Sequence, residues 1–418
     1  MKEEITVKSQ LKRSIPIAFE NLINVLMTLI DTLVVATIGV PEIGAIGAMG
    51  VIISFMQMGI KTINISNVTL LANALGEKKE QKVKLMTGNA MIMTACVSIM
   101  EILIVIIVQP LFPEMFQVSN ICISYLSIRL VGFLQNSFVT ILAGQQRTIG
   151  NQKGILKLRI IAVILNLILD CLCVSLGYGV VGVAWVTVVI DTGMMLYLVI
   201  KSRRTVQYHF VKKYFKDIFR LFKWNFIERI ATKIDNFIFN IVVSRMGAIE
   251  YAVHVILIQL ADIYETFIQG FGDGITITVG IVTGEKKQDK MQKLKQVARK
   301  LINRCSIIIP ILALVVSIIV MKVTLKQTEL QILFYQTMPF LVISIYLAMS
   351  GTDYYSMLRG KRDFKFLAKR NMITSVVRSI GAICLAKIGG IIGVWIAYLI
   401  YAILQKCLSR RRYKQIEE

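Results

Sequence analysis

Twelve apolar stretches, most of them 20 residues or longer, recur along this 418-residue chain with short polar connections between them. A helix needs about 20 apolar residues to cross a hydrocarbon core, so twelve spans use roughly 240 residues. That leaves no room for a large soluble domain. The composition agrees: 56% hydrophobic and 17% charged, against about 45–50% and about 25% in soluble domains. So apolar a chain is not intrinsically disordered. The expected fold class is an all-α polytopic membrane protein with helices near 15–38, 44–75, 86–109, 121–143, 156–176 and 180–200. A second set is expected near 224–246, 251–283, 300–321, 330–357, 368–387 and 390–407.

A net charge of +23 raises the question of nucleic acid, and the placement of the charges answers it. Of 48 Lys and Arg residues, 39 fall in seven short segments: 1–13, 76–84, 144–159, 201–223, 284–304, 359–370 and 406–414. The alternate connections, near 39–47, 110–122, 177–180, 246–251, 321–329 and 387–390, carry only Lys322, Lys326 and Lys387. This alternation is the positive-inside pattern, and it predicts cytoplasmic termini. A nucleic-acid surface would gather the charges on one folded face, so no nucleic-acid partner is expected. The segment 201–223 alternates basic and apolar residues and predicts an amphipathic helix on the anionic inner leaflet. The N-terminus shows no cleavable signal pattern.

The chain also repeats itself. A shift of 208 residues places Glu20 on Glu228, Gly39 on Gly247, Glu42 on Glu250 and Gly76-Glu77-Lys78-Lys79 on Gly284-Glu285-Lys286-Lys287. Shifts of 211–212 align Arg147 with Arg359, Asn151 with Asp363 and GVVGV (179–183) with GIIGV (390–394). Each half has an even number of spans, so the halves form a parallel repeat about an axis along the membrane normal. The predicted organisation is a six-helix lobe over 1–200, a basic linker over 201–223 and a second lobe over 224–418.

A charged side chain at mid-membrane costs at least about 2.5–3.5 kcal/mol, which makes each one a functional candidate. In the first half these are Asp31 and Asp170, with Asn166 one turn before Asp170 on the same helical face and Thr187 at similar depth. Two carboxylates, an amide and a hydroxyl are hard oxygen groups suited to binding Na⁺ or sharing a proton. The bland alternative pairs Asp31 with Arg129. The repeat puts Phe239, Arg378 and Ala382 where the first half has Asp31, Asn166 and Asp170, so the acids belong to one lobe only. The second half carries Glu228 and Asp235 on helix 7, and on helix 8 a stripe of Asp262, Glu265, Gln269 and Asp273. With Gln57, Lys61 and Met56 of helix 2 they predict a hydrated substrate cavity; the alternative is mutual pairing, such as Glu228 with Lys233. His254 reads as a packing residue, and the seven cysteines lack metal-ligand spacing. No P-loop, GxSxG or HExxH occurs, so neither an enzyme nor direct use of ATP is expected.

These residues resemble the multidrug and toxic compound extrusion (MATE) family of secondary transporters. The resemblance rests on Pro16 with Asp31-Thr32, Gly39 and GAIGAMG, LGEKK, AGQQRTIGNQK, NLILD and GVVGVAWVT in the first half. In the second it rests on Glu228, Gly247, Ala252 with His254, FIQGFG and LRGKRD. It implies two six-helix lobes that alternate between outward and inward openings. It further implies export of small, cationic or amphipathic compounds from the cytoplasm in exchange for Na⁺ or H⁺, without a cofactor, by a monomer in the plasma (inner) membrane. Asp31, Asn166, Asp170 and Thr187 fall on the family's cation positions, Asn136 is a candidate for its helix 4 asparagine, and Glu228 matches a family acid on helix 7. The chain departs from the family pattern in lacking the proline before that glutamate and in its extra charges at Asp235, Asp262, Asp273 and Lys61. A flippase for lipid-linked sugars is the alternative within the same superfamily, with Lys61, Arg129 and Arg378 available to a pyrophosphate; an intramembrane enzyme or sensor is the remote one.

Overall fold

The computed structural model of the protein describes residues 4–111, 120–324 and 327–417, and its regular structure there is entirely helical. In chain order the helices are α1 (Val7–Ala36), α2 (Val40–Gly76), α3 (Glu80–Val108), α4 (Asn120–Thr148), α5 (Gln152–Ser175) and α6 (Gly179–Ser202). They continue with α7 (Lys212–Ser244), α8 (Ala248–Glu285), α9 (Gln288–Thr324) and α10 (Thr328–Gly360). The segment Phe364–Glu417 breaks at Gly389–Gly390, where the backbone leaves helical geometry; its two arms are α11 and α12. Among the described residues, with the two arms of the last segment counted separately, each of the twelve apolar stretches thus corresponds to one helix. Among the described residues nine segments have the length and hydropathy of membrane spans, one of them covering both α11 and α12. The connections expected near 110–122 and 321–329, Lys326 included, lie partly outside the described residues, as do the side chains of Glu42 and most of GAIGAMG.

Burial is inverted relative to a water-soluble protein. Leu33, Ile107 and Ile388 are 68%, 73% and 85% exposed, and isoleucine and leucine dominate the outer faces of α3, α5 and α9. Apolar surface on this scale is stable only against lipid. Inside lie Asn67, Thr62, Ser66, Asn89, Gln145 and Asn166, each at 0% exposure.

The repeat reaches the backbone. In both copies of Gly-Glu-Lys-Lys the first lysine is left-handed, Lys78 at φ 57° and Lys286 at φ 56°. Gly179 and Gly390, which open the GVVGV and GIIGV runs, have φ 57° and 56°. The glutamate of each Gly-Glu-Lys-Lys turn pairs with the lysine five residues on, Glu77 with Lys82 at 3.1 Å and Glu285 with Lys290. Burial pushes the Glu77 carboxyl up, but hydrogen bonds and charge from Lys79 and Lys82 outweigh it and hold the group below its ordinary value.

Packing separates two compact units, Phe19–Phe222 and Met1–Ala18 with Lys223–Glu418. The limits drawn from sequence, 1–200 and 224–418, assign the first eighteen residues to the first half. They cluster instead with the second, because the start of α1 lies tight against α8. A Cβ on Gly274 would come within 2.4 Å of Ser14 Oγ, and Arg13 Nη1 donates to Thr278 Oγ1 at 3.1 Å.

The 201–223 segment also differs from its expected form. Residues 206–211 form a strap without regular secondary structure and 212–223 are the first turns of α7, continuous with its remainder. The strap is held on α3 within the first unit: Asn89 donates to His209 O at 2.9 Å and accepts from Val211 N at 2.8 Å. Gly88 allows this approach, since a Cβ there would sit 1.9 Å from the Gln207 carbonyl oxygen. A backbone so satisfied has no need of helix.

A left-handed lysine costs about 1–2 kcal/mol that glycine does not incur, partly offset by glycine's greater freedom when unfolded. Lys78→Gly and Lys286→Gly, both at exposed positions, are expected to hold or raise the melting temperature in detergent. Lys286→Val is expected to lower it, and the reverse order would contradict the turn geometry.

Candidate functional site

α5 places Asn166 and Asp170 on one face, because four residues advance a helix by little more than a full turn. Both are completely buried in the first unit, and Asp31 of α1 is 8% exposed. Asn166 Nδ2 donates to Asp170 Oδ2 at 2.7 Å. The Asp31 and Asp170 carboxyls lie within hydrogen-bonding reach of each other. One oxygen each of Asp31, Asp170 and Asn166 has no hydrogen-bond partner among the described residues. Buried oxygens left unpaired are expensive, and these three, on adjoining side chains, form a cradle of hard oxygen acceptors. Arg129 of α4 supplies positive charge to both acids, and its Nε is also unpartnered. Among the described residues no three His, Cys, Asp or Glu side chains cluster as a metal site, so the cradle rests on two carboxylates and an amide.

Thr187 of α6 is buried and donates its hydroxyl to Val183 O at 3.2 Å. Asn136 donates from Nδ2 to both oxygens of Asp191, at 3.0 and 3.1 Å. Asp191, 3% exposed on α6, is an interior acid that the sequence reading passed over. Its signal was present: Thr187 and Asp191 stand four apart, as Asn166 and Asp170 do. Glu101 of α3 was also passed over. It is half-buried with Oε2 unpartnered, and its Oε1 would meet a Cβ on Gly59 at 2.7 Å.

Midway along α1, Glu20 is 1% exposed and faces two arginines, Arg147 of α4 at 3.3 Å and Arg159 of α5 at 4.0 Å. The second unit echoes this. Glu228 lies 3.8 Å from Arg370, which follows Arg159 by 211 residues, and accepts from Tyr355 Oη at 3.3 Å. Glu228 is therefore balanced by Arg370 and Tyr355. Arg359, the counterpart of Arg147, pairs with Asp273 at 2.8 Å.

The remaining residues expected at a substrate cavity are spread along their helices. Asp235 of α7, 2% exposed, pairs with Arg378 at 2.7 Å. Glu265 accepts from Tyr398 Oη at 2.5 Å, while Asp262 and Gln269 on the same helix are exposed. In the first unit Met56 is buried, Gln57 half-buried and Lys61 exposed. The helix 8 stripe is thus divided, with Glu265 and Asp273 turned to partners inside the second unit.

With this arrangement established, comparison with family models decides the grouping: the MatE model matches residues 16–172 and 226–383, one match to each half. The chain belongs to the MatE family. Comparison with curated protein sequences gave no significant match. Solved structures of MATE and MOP-superfamily transporters share the fold. An outward-facing multidrug resistance MATE family transporter of the MOP superfamily aligns at TM-score 0.86 and 18% identity, over 99% of this chain and 97% of that one. The Vibrio cholerae MATE transporter VcmN in its bent form aligns at 0.87 and 14%, over 98% and 97%. A MOP-superfamily transporter from Pyrococcus furiosus, whose binding pocket of reverse polarity suggests a different function for it, aligns at 0.85 and 17%, over 99% and 97%. This MatE chain is accordingly a multi-pass membrane transporter of two repeated halves, and not an enzyme.

Removing one partner of a buried ion pair costs about 3–5 kcal/mol, because the other charge stays buried. Glu20→Ala is expected to lower the melting temperature of this MatE protein in detergent sharply, and Arg147→Ala in the Glu20→Ala background to recover part of the loss. Wild-type stability of Glu20→Ala would show that the clamp is not energetically coupled.

Proposed function

We propose that the protein is a cation-coupled antiporter that exports small cationic or amphipathic compounds from the cytoplasm in exchange for Na⁺ or H⁺. It acts in the plasma membrane, with both termini cytoplasmic as the basic connections imply. The observation that carries this reading is the cradle of Asp31, Asn166 and Asp170. Its acids are buried, adjacent and each short of a partner, and the repeat offers no carboxylate at the matching positions of the second half. A structural role common to both halves would have left an acid in each.

In this reading the coupling ion is taken by the unpartnered oxygens of Asp31, Asp170 and Asn166. Hard cations take oxygen ligands, and a proton shared between the carboxyls relieves the same repulsion. Thr187 and the Asn136–Asp191 pair line the neighbouring helices as supporting polar groups. Glu228, Glu265, Gln269 and Asp262 of the second half, and Gln57, Lys61 and Met56 of the first, supply candidate contacts for the exported compound, whereas Asp235 is held by Arg378. Ion and substrate oppose one another because each favours a different arrangement of the same helices, and linkage makes that opposition reciprocal. α1 is the natural element to move. It contains Pro16, which removes one backbone hydrogen bond, it carries Asp31, and its residues divide between the two packing units at Ala18–Phe19.

Two measurements test this. In sealed vesicles, Asp31→Asn and Asp170→Asn are expected to abolish uphill export of an organic cation driven by a Na⁺ or proton gradient; full activity in both variants would overturn the mechanism. With purified protein, Na⁺ at about 100 times its Kd raises stability by about 2.7 kcal/mol through mass action. A Na⁺-dependent rise in melting temperature lost in Asp170→Asn identifies sodium. A rise absent at every pH, with protons released on adding substrate, identifies H⁺.

A further inference from the structure

The position that corresponds to Asn166 in the second unit holds a positive charge. Arg378 of α11 is 3% exposed, and its guanidinium is enclosed on several sides. Asp235 Oδ2 lies 2.7 Å from Nε, close enough for a full ion pair although not aligned as a linear hydrogen bond. Asn236 Oδ1 accepts from the Nη2 group. Three rings stand around the same carbon: Phe239 at 4.9 Å, Tyr398 at 5.4 Å and Tyr401 at 4.8 Å from centroid to Cζ. The walls are themselves held. Ser379 Oγ donates to Asp235 Oδ1 at 2.7 Å, and Tyr398 donates to Glu265. Phe239, Trp395 and His254 pack against one another behind them.

Aromatic faces around a cation, with one carboxylate and one amide oxygen, are the donor set that recognises guanidinium and other organic monocations. The repeat sharpens the comparison. Phe239 matches Asp31 and Arg378 matches Asn166, and in each half these two first- and fifth-helix positions face the same interior region. One is lined by acids with unpartnered oxygens, the other by rings around a resident charge. We propose that the second unit contains a cage for a guanidinium-type organic monocation and that the chain fills it permanently with its own Arg378. A covalently tethered ligand keeps the cage charge-balanced at every stage and leaves no room there for a mobile cation. The asymmetry between the halves is then an exchange of a mobile cation for a built-in one.

The cage can be vacated. Arg378→Ala opens a space of guanidinium size opposite Asp235, and the probe is guanidinium or methylguanidinium chloride at low millimolar concentration, with potassium chloride as the ionic control. The variant is expected to melt below wild type and to regain several degrees, saturably, with either probe but not with potassium. Wild type, whose cage is full, and the double variant Asp235→Asn/Arg378→Ala, which lacks the counter-charge, are expected not to respond. A folded Arg378→Ala protein that shows no saturable rise, or an equal rise in the double variant, would overturn the proposal. Should Arg378→Ala fail to give monodisperse protein, solubilisation in methylguanidinium is expected to recover it, and failure to recover it counts against the cage. Wild-type Na⁺ and pH responses at Asp31 and Asp170 are read separately, so the antiport reading and the cage stand or fall on different data.

Discussion

Hydrocarbon cannot solvate a charge or an unpaired peptide group, and that constraint accounts for most of what is seen in this chain. It forces the backbone into helices, since only internal hydrogen bonds are available across the bilayer. It turns the surface apolar and gathers asparagine, threonine and serine into the interior. It also makes every interior ion either paired or informative. Glu20 with Arg147 and Arg159, Glu228 with Arg370, Asp273 with Arg359 and Asp235 with Arg378 are paired. Asp31 and Asp170 retain oxygens that nothing in the described structure meets.

The contrast between these classes separates architecture from chemistry. The glutamate–arginine clamps recur in both halves and tie the first helix of each to its fifth, which suits a framework inherited by duplication. The acid cradle does not recur. Its second-half counterpart keeps the geometry and reverses the sign, with a guanidinium among aromatic rings where the first half has an amide beside carboxylates.

Much of this was legible in the residues. The spacing of apolar runs, the alternation of basic connections and the shared Gly-Glu-Lys-Lys turns anticipated twelve helices and a duplication. Pairs four residues apart anticipated the Asn166–Asp170 contact, because helical geometry converts that spacing directly into proximity. Asp191 was overlooked although it stands at the same spacing from Thr187. Within 201–223 the alternation of basic and apolar residues accompanies helix from Lys212 onward, while hydrogen bonds from Asn89 hold a strap without regular structure over 206–211. The side of the boundary taken by residues 1–18 depended on a close approach of Ser14 to Gly274, which no local pattern encodes.

Sequence alone determined that the chain lives in a bilayer, how its helices are ordered, that its halves are copies, and which acids are costly enough to need a reason. These follow from short-range rules: hydropathy over a window, charge between spans, and residue spacing on a helix. The tertiary structure decided which costly charges are neutralised and which stay open. Arg370 answers Glu228, Asn136 turns to Asp191, and Arg378 is enclosed by Asp235 and three rings. Such choices depend on distances of a few ångströms between helices far apart in the chain, where rotation of a helix by one residue position changes the partners its side chains face.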